Sequence, residues 1–147
     1  MMKDIRDIQG ETFCQESEDL EKVKKAFMVF FPEKTVKMSS TSGMYGTKLK
    51  ILRTKVPRKH VEELSIQIIK GLSKQDKNLL RNEIKNRLDE KGNFYIRFDK
   101  QAAYEKGMMS LADPGMDSIK VVISVNAHPA SEAGYVLAIN RFLEQYL

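Results

Sequence analysis

Apolar residues recur along the chain at two spacings, and the alternation between them lays out the elements. Ile5, Ile8 and Phe13 mark a strand over the first dozen residues. A helix is predicted next. Ser17 can cap it, Glu18 and Asp19 complement its dipole, and Leu20, Val23, Phe27, Phe30 and Phe31 line one face until Pro32. Thr35–Ser40 and Lys48–Val56 read as two strands of a hairpin around a turn-rich segment, 42–46. Pro57–Gly71 reads as a helix, with Val61, Leu64, Ile68 and Leu72 repeating at three and four. A second helix starts at Ser73, with Asp76 at the reciprocal capping position, and runs through Leu80, Ile84 and Leu88 to Gly92. In Asn93–Asp99, Phe94, Ile96 and Phe98 alternate with Tyr95 and Arg97, and Lys100–Lys106 follows as one or two helical turns. Asp117–Asn126 is the strongest strand, with Ile119, Val121, Ile123 and Val125 on one face. Pro129 fits the first turn of a last helix whose stripe is Val136, Ile139, Leu143 and Tyr146.

Interleaved helices and strands with one apolar face each predict an α+β fold. The expected form is a two-layer sandwich, its antiparallel or mixed sheet covered on one side by helices. A chain of 147 residues, 41% hydrophobic, suits one domain spanning 1–147 with a core of its own. No apolar run approaches the ~18 residues of a membrane span. The lone cysteine, Cys14, cannot form an internal disulfide, so the expectation is a soluble cytoplasmic protein.

Charge changes this picture more than composition does. The net charge is +5, yet residues 22–60 carry eleven basic side chains and one acidic, while residues 1–21 carry two basic and seven acidic. A basic block of this kind favours a polyanionic partner, because cations that neutralise phosphates release condensed counterions.

Enzyme signatures are few. The chain has no Gly-rich phosphate loop and no pair of Cys-x-x-Cys motifs. His60 and His128 stand far apart, and no cluster of His, Cys and acids supplies a metal site. Cys14 lies among Glu16, Glu18 and Asp19, a setting that raises a thiol pKa. No catalytic residue, metal or cofactor is therefore expected.

Phosphate-binding candidates are better represented. Lys48, Lys50, Arg53, Lys55, Arg58 and Lys59 lie on the second hairpin strand and its exit into a helix. In a regular strand Arg53 and Lys55 fall on one face and Lys48 and Lys50 on the other, so they either form a patch or simply solvate an edge. Tyr95 and Arg97 share the strand face opposite the phenylalanines, where an aromatic and a guanidinium can stack a base and clamp a phosphate. The alternative is that helices cover this face too. Lys74, Lys77, Arg81 and Lys85 form a further basic stripe, within about 80° on a helix.

Three local patterns resemble an archaeal RNA-binding family. They are Ser17-Glu18-Asp19 with Lys22-Val23, Gly43 with Tyr45-Gly46, and Phe94 through Ala103 followed by Asp117 through Val121. That family, long a domain of unknown function, is a predicted exosome-associated RNA-binding subunit. The resemblance implies a fold similar to the large-subunit ribosomal protein that binds 5S RNA. It implies RNA as the partner, with RNA-processing proteins beside it. Met44, Thr47 and Lys48 depart from the family's hairpin, which has His and Asn-Pro around the second glycine. On this reading Arg53, Lys55, Arg58 and Lys59 neutralise phosphates, Tyr95 stacks, and Arg97, Lys100 and Gln101 contact backbone or ribose. Lys100 and Gln101 have a second role open to them, capping the following helix or pairing with Asp99. Two other functions stay open: a protein-interaction module whose basic segment docks an acidic partner, and an enzyme acting on nucleic acid or a phosphorylated substrate.

Overall fold

Burial in the computed structural model, which describes residues 5–42 and 46–146, follows the alternation closely enough to assign each face. The elements are β1 (Ile5–Gln15), α1 (Leu20–Phe27), β2 (Val36–Ser42), β3 (Lys48–Thr54), α2 (Arg58–Gly71), α3 (Lys74–Asn82), α4 (Ile84–Arg87), β4 (Asn93–Asp99), α5 (Lys100–Lys106), β5 (Ser118–Val125) and α6 (Glu132–Gln145). The five strands form one antiparallel sheet in the order β2-β3-β1-β5-β4, and the fold is α+β. The predicted turn residues Gly43, Met44 and Tyr45 lie outside the described residues.

The chain divides into two compact units, one holding residues through Ile8, Val56–Ile96 and from Val122 on, the other Gln9–Lys55 and Arg97–Val121. Strands β1, β4 and β5 run through both.

In the second unit one sheet face is the core face. Gly10, Thr12 and Cys14 of β1 are buried there, and a Cβ at Gly10 would run into the Phe31 ring, so only glycine lets that ring lie on the strand. Phe30 meets Phe98 of β4 at 4.6 Å, and α1 packs on α5. Asp19, not Ser17, caps α1: its side chain accepts the Glu21 N–H at 3.0 Å, because Ser17 still lies in the turn that the Glu18 N–H closes onto the Gln15 carbonyl. The outer edge of β4 is not bare. Asp99 N–H donates to the Ser110 carbonyl and Ala112 N–H to that of Arg97, at 2.8 and 2.9 Å.

In the first unit α2 buries Val61, Leu64, Ile68 and Ile69, and α6 buries Tyr135, Ala138, Ile139, Phe142 and Leu143. The α6 stripe is thus rotated from the predicted one, leaving Val136 half-buried. Ser131 caps this helix by accepting the Gly134 N–H at 3.2 Å, so Pro129 precedes the helix instead of opening it. The predicted helix from Ser73 to Gly92 breaks at Glu83. Leu88, apolar at a helical spacing, is extended and bridges to Phe94.

An Asp89-centred turn outcompetes the helix there. Its Oδ1 accepts the N–H groups of Lys91 and Asn93 at 2.9 Å each, and Oδ2 accepts Asn93 Nδ2 at 2.9 Å and the Tyr95 hydroxyl at 3.1 Å. Burial by itself would raise this carboxyl, but the donors from Asn93, Lys91 and Tyr95 outweigh it and hold the pKa below its ordinary 3.8. A carboxyl depressed on folding stabilises the protein above its unfolded pKa, and that contribution disappears as pH falls through the folded value. Asp89→Asn should therefore flatten the acid limb of melting temperature against pH below about 4. An acid limb identical to wild type would contradict the assignment.

Candidate nucleic-acid interface

The core face of the second unit determines what its other face shows. Across β1 and β3 the register pairs Glu11 with Arg53, Phe13 with Ile51 and Gln15 with Leu49. Across β2 and β3 it sets Lys37 opposite Arg53. These residues project away from α1 and α5, as do Lys120 on β5 and Arg97 on β4, whose neighbours Ile119, Val121 and Phe98 are buried on the core side. Lys55, one residue past β3, continues the ladder through its N–H to the Thr35 carbonyl at 2.8 Å and shares the parity of Arg53.

The uncovered face is thus cationic: Lys37, Arg53, Lys55, Arg97 and Lys120 stand against Glu11 and Asp99. Asp99 is already engaged, its side chain accepting the Ala102 N–H as the cap of α5. Glu11 lies between two cations, 2.7 Å from Arg53 Nε and 3.4 Å from Lys120 Nζ. Burial alone would raise the Glu11 carboxyl; the Arg53 and Lys120 contacts prevail and hold it below its ordinary range. One carboxylate orienting two long side chains leaves the face positive and partly preorganised.

The predicted residues are distributed unequally. Arg53, Lys55 and Arg97 lie on this face, Arg97 three strands away from the other two, while Lys48 and Lys50 take the opposite face of β3, as the alternation requires. Tyr95, Arg58 and Lys59 belong to the first unit. There the Tyr95 hydroxyl donates to Asp89, and burial followed by that carboxylate raises the phenol pKa. Arg58 is exposed and donates to the Arg6 carbonyl at 2.9 Å; Lys59 is exposed on α2.

Lys100 is buried. Its ammonium donates to the Phe13 carbonyl and Asp117 Oδ2, both at 2.7 Å, and stands 3.0 Å from Glu18 Oε2, so its three N–H groups are committed inside the protein. Gln101 is exposed, its amide donating to Glu105 one turn on at 2.6 Å. The Cys14 thiol pKa is raised, first by burial and then by Glu18.

Lys37, Lys120 and Phe13 were not among the sequence candidates. Their signal was the strand phase: once Gly10, Thr12 and Cys14 are recognised as the buried set, Phe13 and everything across from it must face the other way.

Known proteins resemble this chain in sequence and in fold. The family model described as RNA binding matches residues 7–125. A protein of Pyrococcus abyssi named as an RNA-binding protein is 33% identical over 144 residues, covering 93% of this chain and 92% of that one. The crystal structure of a DUF54 protein from Archaeglobus fulgidus superposes with a TM-score of 0.82 at 26% identity, covering 95% of this chain and 99% of that one. A DUF54 protein from Methanothermobacter thermautotrophicus gives 0.71 at 29% identity, with 95% and 98% covered. The chain therefore belongs to the RNA-binding family.

Proposed function

We propose that this protein binds RNA without acting on it chemically, through the uncovered sheet face of the second unit. The observation that carries the reading is a single sheet face that presents Lys37, Arg53, Lys55, Arg97 and Lys120, two of which, Arg53 and Lys120, share the Glu11 carboxylate. Cations held on a sheet rather than on a loop present phosphate contacts at fixed spacing, and family membership supplies the polyanion they suit. Lys48 and Lys50, on the other face, would add attraction at longer range. Lys100, with its protons committed, acts as a brace for β1 rather than as an RNA contact. An accessory place among RNA-processing proteins extends the same reading, since a binder without catalytic groups serves RNA chemistry by delivering the RNA. Capture of such proteins from lysate that is abolished by ribonuclease supports this extension; capture that survives digestion indicates a direct protein contact instead.

Band-shift titration at several salt concentrations tests RNA binding directly. Affinity should fall with salt in proportion to the phosphates neutralised, about 0.7 to 0.9 in log–log slope per contact. Arg97→Ala should weaken binding similarly across RNA sequences and reduce that slope by about the same amount, one contact's worth. No binding at low salt, or an Arg97→Ala slope equal to wild type, would count against the assigned face.

A further inference from the structure

We propose that Phe13 is a base-stacking platform, so that the uncovered face selects single-stranded over duplex RNA; this rests on the RNA-binding reading above and names its substrate class. β1 is the middle strand of the sheet, and Phe13 sits on it pointing away from α1 and α5 with 36% of its surface exposed. Directly opposite is Ile51, 9% exposed, which gives the ring an apolar neighbour. Arg53 lies on the diagonal, about 7–8 Å away in an antiparallel pair, within reach of a long side chain. Gln15, two residues along the same strand face, is exposed and carries an amide able to donate to and accept from a base edge.

An isolated exposed phenylalanine needs no explanation. This one stands opposite Ile51 and diagonal to Arg53 on the cationic face, a combination suited to unpaired nucleotides: aromatic faces take bases while flanking cations take phosphates. A duplex cannot use it, because its bases are already stacked on each other and show the protein only groove edges and backbone. The strand is also held still beneath the ring. The Phe13 carbonyl accepts Lys100 Nζ at 2.7 Å, and Thr12 Oγ1 donates to the Ser118 carbonyl at 3.2 Å, so the platform is fixed before RNA arrives.

The test compares wild type with Phe13→Leu, Phe13→Ala and Phe13→Trp, using a short single-stranded RNA that contains a fluorescent adenine analogue and the duplex of the same strand. Stacking predicts tighter binding of the single strand and a change in analogue fluorescence. Single-strand affinity should fall roughly 5- to 100-fold in Phe13→Ala. Phe13→Leu keeps the apolar contact with Ile51 and thus the fold, and it should lose affinity as well; Phe13→Trp should retain it. The salt slope should be unchanged in all three, since no phosphate contact is removed. Wild-type binding with full affinity in Phe13→Leu and Phe13→Ala, or an equal preference for duplex, overturns the stacking role while leaving RNA binding intact. Failure of wild type to bind either RNA overturns both.

Discussion

Gly92→Ala is expected to destabilise the protein by about 3 kcal/mol, combining a left-handed backbone penalty with overpacking of a buried ring. Gly92 has φ +85°, where a side chain costs roughly 1–2 kcal/mol before any contact is made. An added Cβ would stand 2.7 Å from Cε1 of Tyr135 and 2.7 Å from the Val125 carbonyl oxygen. The ring belongs to α6 and is buried, and the carbonyl belongs to β5, whose Val125 N–H is itself bonded to the Gly92 carbonyl at 2.9 Å. Neither neighbour can retreat without disturbing a strand or a helix. A loss of this size in a chain this long lowers the melting temperature by about 6–12 °C. Gly107 is the internal control: it is also left-handed, at φ +63°, yet a Cβ there meets nothing within 4 Å. Gly107→Ala should cost only about 1 kcal/mol, so equal losses at the two positions would show that contact plays no part at Gly92.

That turn also marks where the sequence could and could not be read. The β5 alternation of Ile119, Val121, Ile123 and Val125 was legible because every one of these large residues faces the core. The face of β1 was not, because its buried set in the second unit is Gly10, Thr12 and Cys14, three small residues whose hydrophobic signature is weaker than that of Phe13 between them. Gly10 is small because Phe31, twelve residues beyond the cap at Asp19 in neither helix nor strand, lies over it, and no local pattern encodes such a contact. Leu88 misled for the opposite reason. Its spacing continues the α3 stripe, but the hydrogen bonds gathered by Asp89 give the backbone a better alternative than another helical turn. The candidate interface shared both problems: Arg53, Lys55 and Arg97 could be assigned strand positions because the alternation was clear, while the placing of Lys37, Lys120 and Phe13 depended on the hidden phase of β1.

Lys100→Met should cost about 2–4 kcal/mol and leave RNA affinity unchanged, separating bracing from binding at a residue where sequence allowed either. The ammonium joins three segments of the second unit: the Phe13 carbonyl on β1, Glu18 before α1 and Asp117 before β5. Its side chain is 9% exposed, so the contacts form in a low-dielectric setting and are stronger than those of surface pairs. Removing it leaves a carbonyl without its donor and two carboxylates facing each other. Glu18 and Asp117 remain 30% and 54% exposed, and water can solvate them, which keeps the loss below that of a fully buried pair. Adding Asp117→Asn to Lys100→Met should recover part of the stability by removing one of the stranded charges, whereas Asp117→Asn alone should destabilise. Urea unfolding of the four proteins measures the coupling, and band shifts well below the transition measure RNA affinity and its salt slope. A stable Lys100→Met protein with weakened RNA binding would return this lysine to the interface. A destabilised one with wild-type affinity would make it the fixed point that holds the strand carrying Phe13.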